Sequence, residues 1–235
     1  MTHQLSDTDP FNDAFGRCPL VAILRGVRPG EVQAIGEALV EVGIVLIEIP
    51  LNSPEPLLSI ELLAKHLANR AVVGAGTVIR AEDVSRIDDA GGRLVIAPNT
   101  DVRVIAAASE RGMVALPGFA TPTEAVTAIT AGAAALKLFP AEGFTPAFLK
   151  ASLAVLPQRT RVLPTGGILP ETMGRWRSAG AAGFGLGSAL YSAGMTHIEV
   201  RARGQAFVTA HHALSSGSSC GPACKRDPVS GVIGV

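Results

Sequence analysis

Lys137 is the residue with the strongest chemical implication in this chain, because it is a cation inside the apolar run Ala133 to Pro140. An ammonium group is costly to remove from water, so a lysine at such a position tends to become a neutral amine. A neutral amine is a nucleophile for ketones, which is the chemistry of Schiff-base enzymes. The alternative is that Lys137 reaches solvent from a strand end or pairs with a carboxylate. The lysine alone leaves both interpretations open.

Glu48 is a second charge in an apolar setting, within the segment Ile44 to Pro50. Aliphatic neighbours raise the pKa of a carboxyl group, which can then both accept and return a proton near neutral pH. This interpretation makes Glu48 the general acid/base that a Schiff-base lysine needs. The alternative is a structural ion pair between Glu48 and Lys137 or Arg25.

The elements that must position these residues follow from a regular alternation of short apolar runs and amphipathic stretches. Eight runs recur at intervals of roughly 20 to 28 residues, the length of a βα unit. They are Leu20–Leu24, Ile44–Ile49, Val72–Ala75, Leu94–Ala97, Val114–Leu116, Ala135–Leu138, Arg161–Leu163 and Gly183–Leu186. A doubly wound open sheet is the alternative, but the GxGxxG segment that is typical after its first strand is absent here. The pattern therefore predicts an α/β chain folded as a (β/α)8 TIM barrel.

The ends of the intervening helices are marked by capping residues and glycines. A capping side chain followed by proline predicts helix starts at Ser53-Pro54, Thr121-Pro122 and Thr145-Pro146. Thr121 and Glu124 also have the spacing of a capping box. Glycines predict where helices end, at positions 43, 91, 112, 132 and 180.

The domain organisation expected from these patterns is a single barrel over residues 17–214. Residues 1–16 form a polar N-terminal extension, and residues 215–235 form a flexible tail rich in serine and glycine. The tail contains Cys220 and Cys224, to which no function is assigned. No disulfide framework is expected from three cysteines.

The composition limits the classes of partner and cofactor. The 20 basic and 20 acidic side chains balance, which argues against nucleic acid or a membrane surface as partner. The N-terminus lacks the order of a secretory signal, and no apolar run approaches the roughly 20 residues that span a bilayer. A cytoplasmic protein is expected. No metal cofactor is expected, because none of the five histidines falls at a predicted strand end.

The predicted strand ends carry further groups that could bind an anion, and in a barrel the chemistry gathers there. Arg25 ends the first strand, and its planar guanidinium suits a carboxylate. Thr165-Gly166-Gly167 and Gly187-Ser188 follow the last two strands, whose loops often bind phosphate in barrels. Each feature alone also fits an ordinary surface arginine or loop glycine. The joint placement of the two glycine turns after the last two strands favours a bound phosphate.

Taken together, these segments resemble the family of 2-keto-3-deoxy-6-phospho sugar-acid aldolases (KDPG/KHG aldolases), the pyruvate-forming class I aldolases. The resemblance covers about residues 17–212. The motifs that carry it are Ile23-Leu24-Arg25-Gly26, Glu48 to Ser53, Gly74 to Val78, Pro98-Asn99, Leu136 to Ala141, Gly166-Gly167 and Leu186-Gly187-Ser188.

The resemblance implies a metal-free lyase with a defined role for each matching position. Lys137 would form the Schiff base and Glu48 would shuttle protons, with Phe139 packed beside the lysine. Arg25 and Thr77 would hold the carboxylate or hydroxyls of the substrate, and Pro98 would line the same site. The phosphate would be cradled by Gly166, Gly167, Gly187 and Ser188. The resemblance also implies a homotrimer, since proteins of this family form trimers.

Two questions stay open at this point. Glu48 to Ser53 resembles the members that act on the galactonate epimer, whereas Pro164-Thr165-Gly166-Gly167 is closer to the gluconate members. Two other classes compete with the aldolase: a phosphate-binding barrel that transfers or isomerises without an imine, and a non-catalytic module that binds phospho-sugars. The first leaves Lys137 and Glu48 without a shared task, and the second requires that the lysine stays charged and paired.

Overall fold

The computed structural model describes residues 10–216, and its framework is a set of short parallel strands separated by helices. The strands are β1 Leu20–Ile23, β2 Leu46–Pro50, β3 Val72–Gly76, β4 Leu94–Ile96, β5 Val114–Leu116, β6 Gly118–Phe119, β7 Leu136–Leu138, β8 Val162–Pro164 and β9 Phe184–Leu186. Each of the eight predicted runs overlaps one strand, and the structure adds the two-residue β6.

The helices follow the strands in the order that the alternation predicts. They are α1 Pro10–Arg17, α2 Pro29–Glu41, α3 Pro56–Leu67, α4 Glu82–Asp89, α5 Val102–Glu110, α6 Pro122–Thr130, α7 Pro146–Val155, α8 Met173–Ser178 and α9 His197–Ser216. Short 3₁₀ turns cover Ala68–Arg70, Ala141–Gly143 and Pro170–Thr172. Within the described part of the chain, no helix is both long and apolar enough to cross a membrane.

All strand pairs are parallel, which confirms the predicted α/β class. Six strands form a curled sheet in the order β5-β4-β3-β2-β1-β9, a half-barrel, and three more pair in the order β6-β7-β8. A single bridge between Thr165 and Gly185 links the end of β8 to β9. On the other side, only Pro117 separates β5 from β6, and its carbonyl accepts the N–H of Lys137 at 2.9 Å.

The apolar core has two parts, because side chains alternate between the two faces of each strand. One part lies between the strands and the helices and includes Leu39, Ile47, Ile60, Leu136 and Leu138. The other lies on the inner face of the strands and includes Val21, Leu46, Ile96, Leu116 and Leu163. Burial of these two sets holds the strand ends, and therefore the side chains that follow them, in fixed positions.

Helix α1 lies within the stretch that was expected to be a polar extension. Its Phe11 and Phe15 are buried against the inner-face core near the amino ends of the strands, whereas Asp13 and Arg17 are exposed. The helix therefore packs on the sheet although it precedes the first βα unit. Residues 1–9 and 217–235, with Cys220 and Cys224, lie outside the described residues, and the predicted domain boundaries stay predictions.

Two of the three predicted helix caps are confirmed. Thr121 and Glu124 form the capping box, with the Glu124 carboxylate accepting the Thr121 N–H at 2.8 Å, and Thr145 caps α7. The prediction for Ser53 is wrong, because α3 begins only at Pro56. Ser53 instead closes a turn after β2, donating its N–H to the Pro50 carbonyl, and its Oγ accepts the N–H of Gly26 at 3.0 Å.

Candidate active site

Lys137 and Glu48 meet on the inner face of the strands. Both sit at the middle of strands whose flanking residues, Leu136 with Leu138 and Ile47 with Ile49, point outward into the helix-facing core. Alternation along β2 and β7 therefore turns the two charged side chains inward. The Lys137 Nζ lies 3.5 Å from the Glu48 Oε1, and the two residues are 6% and 1% exposed.

The environment of Glu48 favours its protonated form. Burial raises the pKa of the Glu48 carboxyl above its usual value, and the charges of Lys137 and Arg25 oppose that rise only in part. Its Oε2 has no hydrogen-bond partner among the described residues. An unsatisfied buried carboxylate oxygen is costly to stability, which makes Glu48 a candidate functional group.

Two glycines keep the space around this pair open. A Cβ atom at Gly76 would lie 1.1 Å from the Glu48 Oε2, so only glycine at this position leaves the carboxylate where it is. A Cβ atom at Gly185 would lie 2.2 Å from the Thr165 Oγ1. Thr165, Gly185, Lys137 and Glu48 line one small internal cavity with the inner-face aliphatic side chains.

Phe139 lies beside the lysine, as the resemblance implies. The Lys137 Nζ is 5.1 Å from the centre of the half-buried Phe139 ring. This separation is within the range of a cation–π contact.

Arg25 and Thr77 lie together at the carboxyl ends of β1 and β3. The Arg25 Nη2 donates to the Thr77 Oγ1 at 3.4 Å, and the Arg25 Nη1 donates to the Asn52 Oδ1 at 2.5 Å. Thr77 has a φ of +58°, a left-handed conformation that is strained for a β-branched residue. The guanidinium is exposed at the mouth of the site, close enough to Glu48 to affect its pKa.

The predicted phosphate-binding glycines follow β8 and β9. Gly166 and Gly167 have φ values of +106° and +62°, and the Glu142 side chain lies against both of them. Gly187 borders open space, since no heavy atom lies within 4 Å of the point where its Cβ would be. Two residues that line the cavity of Lys137 lie just before these turns: Thr165 directly precedes Gly166, and Gly185 lies two residues before Gly187.

The remaining predicted residues lie around the same end of the strands. Pro98 follows β4, and its carbonyl packs so closely against Gly118 that a Cβ atom there would come within 2.2 Å. Ser188 is exposed, and its carbonyl accepts a hydrogen bond from the Arg203 Nη1 at 3.2 Å. No α-helix begins directly after β9, because a turn leads from Ser188 to the later start of α9 at His197.

Asn52 and Glu142 were given no role of their own from the sequence, and Thr165 was named only as part of the glycine turn. Asn52 holds Arg25, Thr165 lines the lysine cavity, and Glu142 lies on the glycine turn. Thr165 and Asn52 fall at strand ends, which is the signal that could have selected them. Glu142 carries no such signal, because only the folded chain brings its 3₁₀ turn against Gly166. Among residues 10–216, no group of three or more potential ligands is placed to hold a metal ion.

Comparison with known proteins agrees with this geometry. The family model of the KDPG and KHG aldolases matches residues 12–204. A relative from Escherichia coli (strain K12), named 2-dehydro-3-deoxy-6-phosphogalactonate aldolase, is 44% identical over 83% of this chain and 95% of its own. A solved structure described as native KDPGal has 42% identity and a TM-score of 0.84, covering 85% of this chain and 97% of that one.

A more distant solved structure carries a relevant ligand. The KDPG aldolase from Legionella pneumophila, described with pyruvate captured as a covalent carbinolamine, has 25% identity and a TM-score of 0.71. It covers 89% of this chain and 99% of that one.

The parallel α/β fold with a buried lysine–glutamate pair, together with these matches, defines the class as an aldolase, a carbon–carbon lyase. The chain belongs to the KDPG and KHG aldolase family. The resemblance drawn from its sequence motifs is confirmed.

Proposed function

We propose that this protein is a class I aldolase that cleaves 2-dehydro-3-deoxy-6-phospho-D-galactonate into pyruvate and D-glyceraldehyde 3-phosphate through a Schiff base on Lys137. The observation that supports this most is the buried pair of Lys137 and Glu48, which lie 3.5 Å apart and line the same cavity. The name of the relative from E. coli supports the choice of substrate.

The reaction begins at the C2 ketone of the substrate. The amine of Lys137 adds to C2 to give a carbinolamine, and loss of water gives a protonated imine. When the C3–C4 bond breaks, its electron pair moves into the imine and leaves a neutral enamine on the lysine. The C4 hydroxyl loses its proton and becomes the aldehyde of glyceraldehyde 3-phosphate. The covalent electron sink replaces an unstable carbanion.

Glu48 carries the protons of this sequence. It accepts the proton of the C4 hydroxyl, directly or through a water molecule, and returns a proton to C3 of the enamine. Water then hydrolyses the imine, which releases pyruvate and restores the free lysine. The raised pKa of the Glu48 carboxyl suits this double role, because the group must be both a base and an acid in one cycle.

The substrate would lie across the mouth of the site. Arg25 and Thr77 at the ends of β1 and β3 would bind its carboxylate, beside Pro98, and Phe139 would cover the imine. The phosphate would reach the glycine turns at 166–167 and 187–188.

The gluconate epimer is a second candidate, because Thr165 precedes Gly166-Gly167 as in the members that act on that epimer. Pyruvate release from the two C4 epimers, measured side by side with lactate dehydrogenase and NADH, tests both candidates. The proposal expects the larger kcat/KM for the galactonate epimer. A larger value for the gluconate epimer would reverse the assignment, and no pyruvate from either would reject the aldolase.

We also propose that the two sheets close into one (β/α)8 barrel. Two observations support this closure: the Thr165–Gly185 bridge joins the end of β8 to β9, and a single residue separates β5 from β6. A homotrimer is proposed on the resemblance, and a cytoplasmic location on the composition of the chain. Light scattering coupled to size-exclusion chromatography measures the first of these.

A further inference from the structure

Arg25 has an unusual electrostatic position for an arginine that other side chains hold in place. Its guanidinium is fixed by two hydrogen bonds, yet no carboxylate among the described residues lies within 4.0 Å of it. Other arginines of the molecule, such as Arg70 and Arg93, are instead held by carboxylates.

The two groups that hold Arg25 are both neutral. The amide oxygen of Asn52 accepts from Nη1 and the hydroxyl of Thr77 accepts from Nη2. The Asn52 contact is the shorter by 0.9 Å, the difference between 3.4 and 2.5 Å. Asn52 therefore fixes the direction of the guanidinium without cancelling its charge.

The turn after β2 places Asn52 for this contact. Leu51 donates its N–H to the Gly76 carbonyl at 2.8 Å, and Ser53 donates to the Pro50 carbonyl at 2.9 Å. The Ser53 Oγ in turn accepts from the N–H of Gly26, the residue next to Arg25. Asn52 thus lies between two fixed residues, both tied to the strand ends that carry the site.

We propose that Asn52 is a positioning residue whose neutral amide orients Arg25 and leaves the arginine charge free for the carboxylate of the keto acid. This inference rests on the proposed aldolase function and adds to it the residue that keeps the carboxylate site positive. An aspartate has nearly the same shape as asparagine and would accept the same hydrogen bond, but it would neutralise Arg25. Charge, not geometry, is then the property that selects asparagine here.

The test compares Asn52→Asp with Asn52→Ala in the full-length protein, using pyruvate as the probe. Borohydride traps the imine of Lys137 with pyruvate, and intact mass gives the trapped fraction at each pyruvate concentration. Losing the free charge should raise the half-saturating pyruvate concentration about tenfold or more in Asn52→Asp, with the plateau unchanged. Asn52→Ala, which loses one neutral hydrogen bond, should raise it only about two- to fivefold.

Three controls separate charge from folding and from overall electrostatics. Asn69→Asp adds the same charge near the opposite ends of the strands and should leave the half-saturating concentration unchanged. Methyl pyruvate has no carboxylate, so Asn52→Asp should trap it like the wild type. Thermal unfolding reports whether each variant is folded. If Asn52→Asp does not fold, Asn52→Glu replaces it in the same test.

The outcomes distinguish this inference from the proposed function. Absence of any pyruvate adduct on the wild-type lysine would reject the aldolase itself. A normal wild-type adduct with no shift in Asn52→Asp, or with a larger shift in Asn52→Ala, would reject only the role of Asn52. An equal shift for methyl pyruvate would show a structural effect and would likewise overturn it.

Discussion

The amino and carboxyl ends of the strands are built in opposite ways. At the amino ends, α1 and the segments before β3, β4 and β5 surround a cavity of about 470 Å³. Its three arginines each pair with a carboxylate: Arg17 with Asp13, Arg70 with Glu37 and Arg93 with Asp88. At the carboxyl ends, the cavity is much smaller, yet Glu48 has an unpaired oxygen and Arg25 has no ion pair among the described residues.

Uncompensated charge, and not the volume of a cavity, therefore locates the candidate site. Paired surface charges add little to stability and have no capacity left for a ligand. A buried, partly unsatisfied ion pair is unfavourable for stability, because desolvation of two charges offsets most of their attraction. Among residues 10–216, such a pair occurs only on the inner face of the strands, below the carboxyl ends where the reaction is proposed to occur.

The largest expected effect is on the lysine. Lys137→Ala should abolish cleavage, with a loss of at least about 10⁴ in kcat, because no other group can form the imine. Pyruvate release measures this loss, and borohydride reduction with pyruvate should add mass to the wild-type peptide that contains Lys137. Lys65→Ala, in the last turn of α3, is the matched control and should keep full activity. A borohydride adduct on Lys65 or Lys150 in the wild type would contradict the assignment.

Glu48→Gln should reduce turnover by about 10²- to 10⁴-fold, the usual contribution of one general acid/base, while still permitting slow imine formation. The variant also tests burial. Burial raises the pKa of the Glu48 carboxyl in the folded state. The ionisation of Glu48 therefore lowers the stability of the folded protein as the pH rises above 4.5, the ordinary pKa of a glutamate.

Glutamine never ionises. The melting temperature of Glu48→Gln minus that of the wild type should therefore increase from acidic to neutral pH, and the two melting temperatures should converge at low pH. Thermal unfolding at several pH values measures this difference. A difference that does not change with pH would mean that the carboxyl is not destabilised by burial.

Gly76→Ala should reduce kcat by less than Glu48→Gln does. The added methyl group would overlap the Glu48 Oε2 and push the carboxylate away from Lys137. Steady-state kinetics should show a lower kcat, while the protein stays folded because a side chain can move. Gly16→Ala in α1 meets no atom within 4 Å and should leave kcat unchanged. Equal kcat values for the two variants would argue against the position of Glu48.

Phe11→Ala should have the smallest effect on catalysis and a large one on stability. Removing this buried ring from α1 should lower the free energy of unfolding by about 3–5 kcal/mol, because it leaves a cavity at the amino ends. The kcat, measured well below the melting temperature, should be unchanged. Val155→Ala, at a 69% exposed position, is the control for stability. A fall in kcat with Phe11→Ala would show that the two ends are coupled.

The strands and the central pair could be predicted from the sequence because the signal is local. Apolar runs marked the strands, and a charge at the middle of a run must point to one face, which identified Lys137 and Glu48. Helix α1 was missed because it is short and its two phenylalanines stand among polar residues. The cap at Ser53 was predicted wrongly because Ser-Pro occurs equally in a turn that continues past the strand. The contact of Asn52 with Arg25 joins residues 27 positions apart, and only the tertiary fold brings them together.

The bare backbone at Gly76 and Gly185 has a practical consequence for altering which aldehydes the enzyme accepts. Both positions reserve room for polar atoms that surround the lysine, so a library that randomises them would mostly return inactive proteins. Diversity is better introduced at an exposed position of the rim such as Asn99, where a new side chain would leave Lys137 and Glu48 in place.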